Sequence, residues 1–93
     1  MIRGFKCKET EKLFHRKPSR VFPQDILQRA RKKLVMLDAA TTISDLKEPP
    51  SNHLEGLQGR LKGRYSIRIN DQWRICFKWN IAEATEVEIV DYH

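Results

Sequence analysis

The chain has 93 residues, 40% hydrophobic and 32% charged, with 18 Lys and Arg against 12 Asp and Glu for a net charge of +6. That length suits a single domain spanning residues 1–93, and the apolar share supports a core and argues against wholesale disorder. No apolar run approaches the ~18 residues of a membrane span, and "MIRGFKCKETEK" has no continuous apolar stretch of the signal-peptide kind, so no membrane partner and a cytoplasmic location are expected.

Ile2 to Phe5 alternates and reads as a first strand. "KETEKLFH" reads as a short helix, broken at "RKPSR" because proline disfavours helix in the residue before it. "FPQDILQRARKKLVMLDAATT" is the strongest helix: Pro23 suits a first helical position and Asp25 the positive end of the dipole. Ile26, Ala30, Leu34 and Leu37 form its apolar face, and Gln28, Arg29, Arg31, Lys32 and Lys33 fill the rest. Thr42 and Asp45 resemble a capping box for one further turn, and Pro49 and Pro50 make an extended link. "HLEGL" supplies a short strand. From there the period is two: Tyr65, Ile67 and Ile69 oppose Arg64, Ser66, Arg68 and Asn70, and Trp73, Ile75, Phe77 and Trp79 oppose Arg74, Cys76 and Lys78. "NDQ" has turn chemistry, so the two runs form a hairpin, and "TEVEIVDY" is a last strand after the "NIAEA" loop. The order predicts an α+β fold, a central antiparallel sheet of about four or five strands with two main helices on its apolar face.

Cys7 and Cys76 lie far apart and are expected as reduced thiols; with no CxxC or paired-histidine spacing, neither metal nor cofactor is expected. Arg60, Lys62, Arg64, Arg68, Arg74 and Lys78 crowd one stretch in which Asp71 is the only acid. Alternation sets Arg64, Arg68, Arg74 and Lys78 on the solvent side of the hairpin, where guanidinium forks suit phosphate and a row of cations can track an RNA backbone. The plainer reading is a solvated face whose cations discourage edge pairing, although such faces commonly mix both signs. The chain closes on Asp91, Tyr92 and His93. Asp91 and His93 point the same way in an extended chain, and imidazole moves protons near neutral pH. A base, an acid and positive charge on the phosphorane are what RNA cleavage through the 2′-hydroxyl requires. Taken alone, such an end is commonly just a solvated terminus. His53 and Glu55 would share a strand face and either extend an active surface or simply be polar. His15 suits a helix end, and the parity of Trp73 places it in the core.

"SIRINDQWRICFKW" followed by "VEIVDYH" resembles the HigB toxins, a branch of the RelE/ParE superfamily, and "MIRGF", "LDAATTISDL" and "PPSNHLEGLQG" extend the likeness over nearly the whole chain. The resemblance implies a compact α+β toxin domain that cleaves mRNA in the decoding site of the 70S ribosome without a cofactor. It implies a HigA-type helix-turn-helix antitoxin as partner, with operator DNA engaged only through the toxin–antitoxin complex. Asp91, Tyr92 and His93 match the family's catalytic group, and Arg68 and Arg74 match basic hairpin positions that bind RNA or stabilise transition-state charge. Some members carry a catalytic histidine in the strand before the hairpin. Here Glu55 falls at that position and His53 two residues earlier, so His53 substitutes, or Glu55 takes the proton role, or the group is dispensed with. A ParE-like gyrase inhibitor on the same fold and a non-catalytic ribosome- or RNA-binding module remain as alternatives.

Overall fold

The computed structural model describes residues 1–57 and 63–91. α1 (Lys8–Phe14) carries Glu9 and Glu11 in its first turn, where carboxylates suit the positive end of the helix dipole. α2 (Gln24–Ala39) starts after Pro23, which stands at the N-cap and not at the first helical position. Ile26, Ala30, Leu34 and Leu37 are buried, as their spacing predicts. Lys33 is buried beside them, although the sequence assigned it to the solvated side; its Nζ donates to Asn52 Oδ1.

α2 stops at Ala39, before Thr42, because Thr42 opens a separate turn. Thr42 Oγ1 accepts from the Asp45 N–H at 3.3 Å, and Asp45 Oδ2 accepts from the Thr42 N–H at 3.1 Å. This is the expected capping box, and it starts a 3₁₀ turn over Ile43–Lys47. The backbone N–H groups of Thr41 and Thr42 hold the Asp45 carboxyl below the usual carboxylate range. The extended proline link is corrected: Pro50–Asn52 form a second 3₁₀ turn. Its fully buried Asn52 donates to the carbonyls of Leu46 at 3.0 Å and Glu48 at 3.1 Å while accepting from Lys33. Buried amides need partners at both ends, and Asn52 finds them on two different segments.

The sheet comprises β1 (Glu55–Gly56), β2 (Arg64–Arg68), β3 (Trp73–Asn80) and β4 (Glu83–Asp91) in the order β1-β2-β3-β4, all neighbours antiparallel. This is the expected α+β architecture. Asn70 Oδ1 accepts from the N–H groups of Gln72 and Trp73, each at 2.8 Å, and so shapes the β2–β3 turn. Ile67, Ile69, Ile75, Phe77, Val87 and Ile89 pack from the sheet against α2, Leu13 and Leu46.

Ile2–Phe5 is not a continuous strand. It makes two isolated parallel bridges to β4, Ile2 with Ala84 and Phe5 with Val87. The reason lies in β4, which carries one extra residue where β3 passes from Cys76 to Lys78; Glu86 there adopts φ +51°. The bulge breaks the spacing a regular ladder needs. The segment still covers the outer edge of β4, and Thr10 Oγ1 extends that cover by accepting from the Ile89 N–H at 3.1 Å. Among the described residues, no helix is long and apolar enough to cross a membrane.

Candidate active site at the sheet end

Cross-strand register fixes the sheet face that the helices leave uncovered. Arg64 stands opposite Lys78, Ser66 opposite Cys76, and Arg68 opposite Arg74. Cys76 in turn faces Glu88 on β4, Arg74 faces Val90, and Glu55 on β1 faces Ser66. The basic hairpin therefore lies between two strands that bring acids. Arg64 pairs with Glu86 at 2.7 Å, Arg68 with Asp71, Arg74 with Glu55 at 3.6 Å, and Lys6 with Glu88 at 3.4 Å. The one-signed face expected from Arg64, Arg68, Arg74 and Lys78 is corrected to a mixed one. Alternation within a hairpin cannot show what the flanking strands contribute. The Arg64 hydrogen bond holds the Glu86 carboxyl below its usual range, while burial and Glu88 push the Cys76 thiol up. Cys7 and Cys76 are both free thiols.

Arg74 departs furthest from expectation. It is only 7% exposed, not a solvent-side cation. Its Nε donates to Ser66 Oγ at 2.9 Å, and its Nη2 donates to the carbonyls of His53 and of Ser66, the latter at 3.2 Å. The planar fork thus ties β3 to β2 and to the segment entering β1, a set of contacts lysine could not reproduce. Ser66, fully buried, is a partner the sequence reading did not single out. Its only signal is a small hydroxyl at a polar-parity position between arginines.

His53 and Glu55 do not share a strand face, because the strand begins only at Glu55. His53 ends the preceding 3₁₀ turn with φ +42°, exposed, and supplies its carbonyl to Arg74; Glu55 supplies the carboxylate. Asp91 is exposed and lies opposite Trp73, on the side of the sheet shared by Ile75 and Ile89, with Gln72 Nε2 donating to its Oδ2 at 3.0 Å. Val90, not Asp91, is the residue across from Arg74. The structure thus gathers Arg68, Arg74, Glu55, the His53 carbonyl and the end of β4 at one end of the sheet. Lys78 is exposed further along the hairpin, beside Arg64. Tyr92, His93, Arg60 and Lys62 lie outside the described residues. At the gathered end the exposed Glu55 carboxylate lies 3.6 Å from the fixed Arg74 guanidinium, a combination suited to proton transfer beside an anionic centre, while Asp91 stands on the other side of the sheet.

A family model described as a RelE-like toxin of the type II toxin–antitoxin system HigB matches residues 3–93. The chain belongs to the HigB-like toxin family. Toxin HigB-1 of Vibrio cholerae is 45% identical over 80 residues, 85% of this chain and 84% of that one. Endoribonuclease HigB of Proteus vulgaris is 31% identical over 93 residues, 100% of both chains. The crystal structure of YafQ from Escherichia coli superposes with a TM-score of 0.65 at 15% identity, covering 98% of this chain and 91% of that one, a likeness of fold. As a HigB-like toxin, the chain is one half of a type II toxin–antitoxin pair, and an antitoxin is its partner.

Proposed function

We propose that this HigB-like toxin is an endoribonuclease that cuts mRNA on the 70S ribosome during translation and so arrests growth. The observation that carries the reading is the family match over residues 3–93, which takes in the closing Asp-Tyr-His. The endoribonuclease named in Proteus vulgaris aligns over the full length of both chains and supports the activity.

In this mechanism the RNA's own 2′-oxygen attacks phosphorus as the bond to the 5′-oxygen breaks, leaving a 2′,3′-cyclic phosphate and a free 5′-hydroxyl; no metal takes part. Asp91 and His93 divide the two proton transfers, one receiving the 2′-hydroxyl proton and the other protonating the leaving 5′-oxygen. Tyr92 orients or stacks on a base. Arg68 offsets charge on the phosphorane, and Arg74 holds the surrounding strands in place. Glu55, 3.6 Å from Arg74, is placed to assist a proton transfer, and His53 offers Arg74 its carbonyl. Arg60, Lys62, Arg64 and Lys78 add phosphate contacts. The antitoxin is of the HigA helix-turn-helix type, operator DNA is met only through the complex, and the setting is the cytoplasm. Activity is weak without the ribosome, which positions the substrate for a loosely organised site.

Primer extension on translated mRNA tests the reading. Cut sites that appear on induction and vanish in Asp91→Ala and in His93→Ala are the expected result. Cleavage unchanged in both variants rejects the tail chemistry, and growth arrest without any cut rejects the nuclease.

A further inference from the structure

Off the open sheet face lies a groove of about 620 Å³ bounded by α2, the Pro49–Ser51 segment and the end of β2. Arg29, Lys32 and Lys33 enter it from α2, and Arg68 from β2. Helical spacing sets Arg29, Lys32 and Lys33 along one stripe. Among the described residues, none of these three has a carboxylate within ion-pair distance, whereas Arg64, Arg68 and Arg74 each have one. Arg29 Nη1 donates to the Ile69 carbonyl at 3.3 Å, which fixes its guanidinium over the end of β2. Asp25 is the acid on the groove wall, and Gln28 and Ser51 add neutral polar groups.

We propose that this groove is a subsite for the phosphates of single-stranded RNA, with the exposed Arg29 and Lys32 as its contacting cations, the buried Lys33 adding charge from beneath, and Arg68 leading the strand toward the sheet end. The proposal rests on the nuclease reading above and assigns that enzyme a place for the substrate strand flanking the cut. Like charge is held there at a cost: burial, then Lys32 and Arg29, pull the Lys33 ammonium below its usual range, and an anion in the groove reverses part of that shift. Duplex RNA is recognised by contacts spread over successive minor grooves, a footprint that one short concave groove does not offer, so a single strand is the fitting ligand. No aromatic side chain lines it among the described residues, so it offers backbone contacts without base stacking, and recognition is sequence-independent and salt-sensitive. The path is short. Arg68 stands opposite Arg74 and Arg74 opposite Val90, one residue before Asp91. Two strand spacings are about 10 Å.

The test measures binding of a short single-stranded RNA, 2′-O-methylated to block cleavage, by fluorescence anisotropy across a salt series. Lys32→Ala, at an exposed position, should reduce the slope of log affinity against log salt by about 0.7 and weaken binding about fivefold at 0.1 M salt, the effect of one lost phosphate contact on a single strand. Gln28→Glu, which adds an acid to the same wall, should weaken binding as well. Lys8→Ala removes the same charge from α1, outside the groove, and should keep the wild-type slope. Equal losses in Lys32→Ala and Lys8→Ala would show a general charge effect and overturn the subsite. Unchanged oligonucleotide affinity in Lys32→Ala with loss of ribosome association would overturn it in favour of ribosomal RNA. If wild-type protein cuts no translated mRNA yet the salt slope behaves as stated, the subsite stands and the nuclease reading fails.

Discussion

Arg74 carries its charge into a place that water scarcely reaches, and its neighbours determine what it can do there. Its donors are satisfied by Ser66 and by the carbonyls of Ser66 and His53, with Glu55 at 3.6 Å. Removing the guanidinium strands a buried hydroxyl and two carbonyls. Arg74→Ala should therefore lower unfolding free energy by about 2–3 kcal/mol, a large part of a small domain's reserve. Arg74→Lys should recover only part of the loss, because a point charge cannot bridge the same three groups. Urea midpoints of the three proteins give the comparison; a variant as stable as wild type would return Arg74 to the role of a surface cation. Nothing in the alternation of "WRICFKW" sets Arg74 apart from Lys78, because its burial depends on Ser66 and on the entry to β1, both distant in sequence. Lys33 is a similar case, drawn inward by Asn52.

Elements whose residues meet near neighbours in the chain were easier to read. The apolar stripe of α2, the capping box at Thr42 and the β2–β3 hairpin all follow from local spacing. Pro50–Asn52 does not, because its turn is secured by Lys33 and by carbonyls on other segments. The β3–β4 connection shows local chemistry working against the fold. Ile81 and Ala82 sit at φ +38° and +64° between the paired Asn80 and Glu83, so two ordinary L-residues occupy positive-φ positions where Asn and Gly are favoured. Ile81 is also 87% exposed, so changing it removes no core packing. Replacing the pair through Ile81→Asn and Ala82→Gly should stabilise the protein by about 1 kcal/mol, and a thermal melt should show Tm rising by about 4–8 °C. A fall in Tm would mean that Ile81 has a packing role the fold does not reveal.

Across the whole molecule, a net charge of +6 is divided unevenly. The open sheet face balances its arginines with acids from β1, β4 and the β2–β3 turn, while the α2 groove leaves three cations without a carboxylate partner among the described residues. The total charge was plain in the sequence, but its distribution was not, because it depends on which strands become neighbours. One extra residue in β4 has similar reach. Ala84 precedes the bulge and Val87 and Ile89 follow it, yet all three are buried; only the insertion at Glu86 reconciles their unequal spacing. Glu86→Gly should still fold, since φ +51° suits glycine. Deleting Glu86 should leave the fold standing, seen as retained near-ultraviolet dichroism, because the shortened strand alternates regularly and still turns Ala84, Val87 and Ile89 to the core. The same peptide unit governs the working end of the protein: had β4 kept strict alternation from Ala84, Asp91 would emerge among the guanidinium groups instead of beside Trp73, and a different surface would be offered to any strand of RNA lying there.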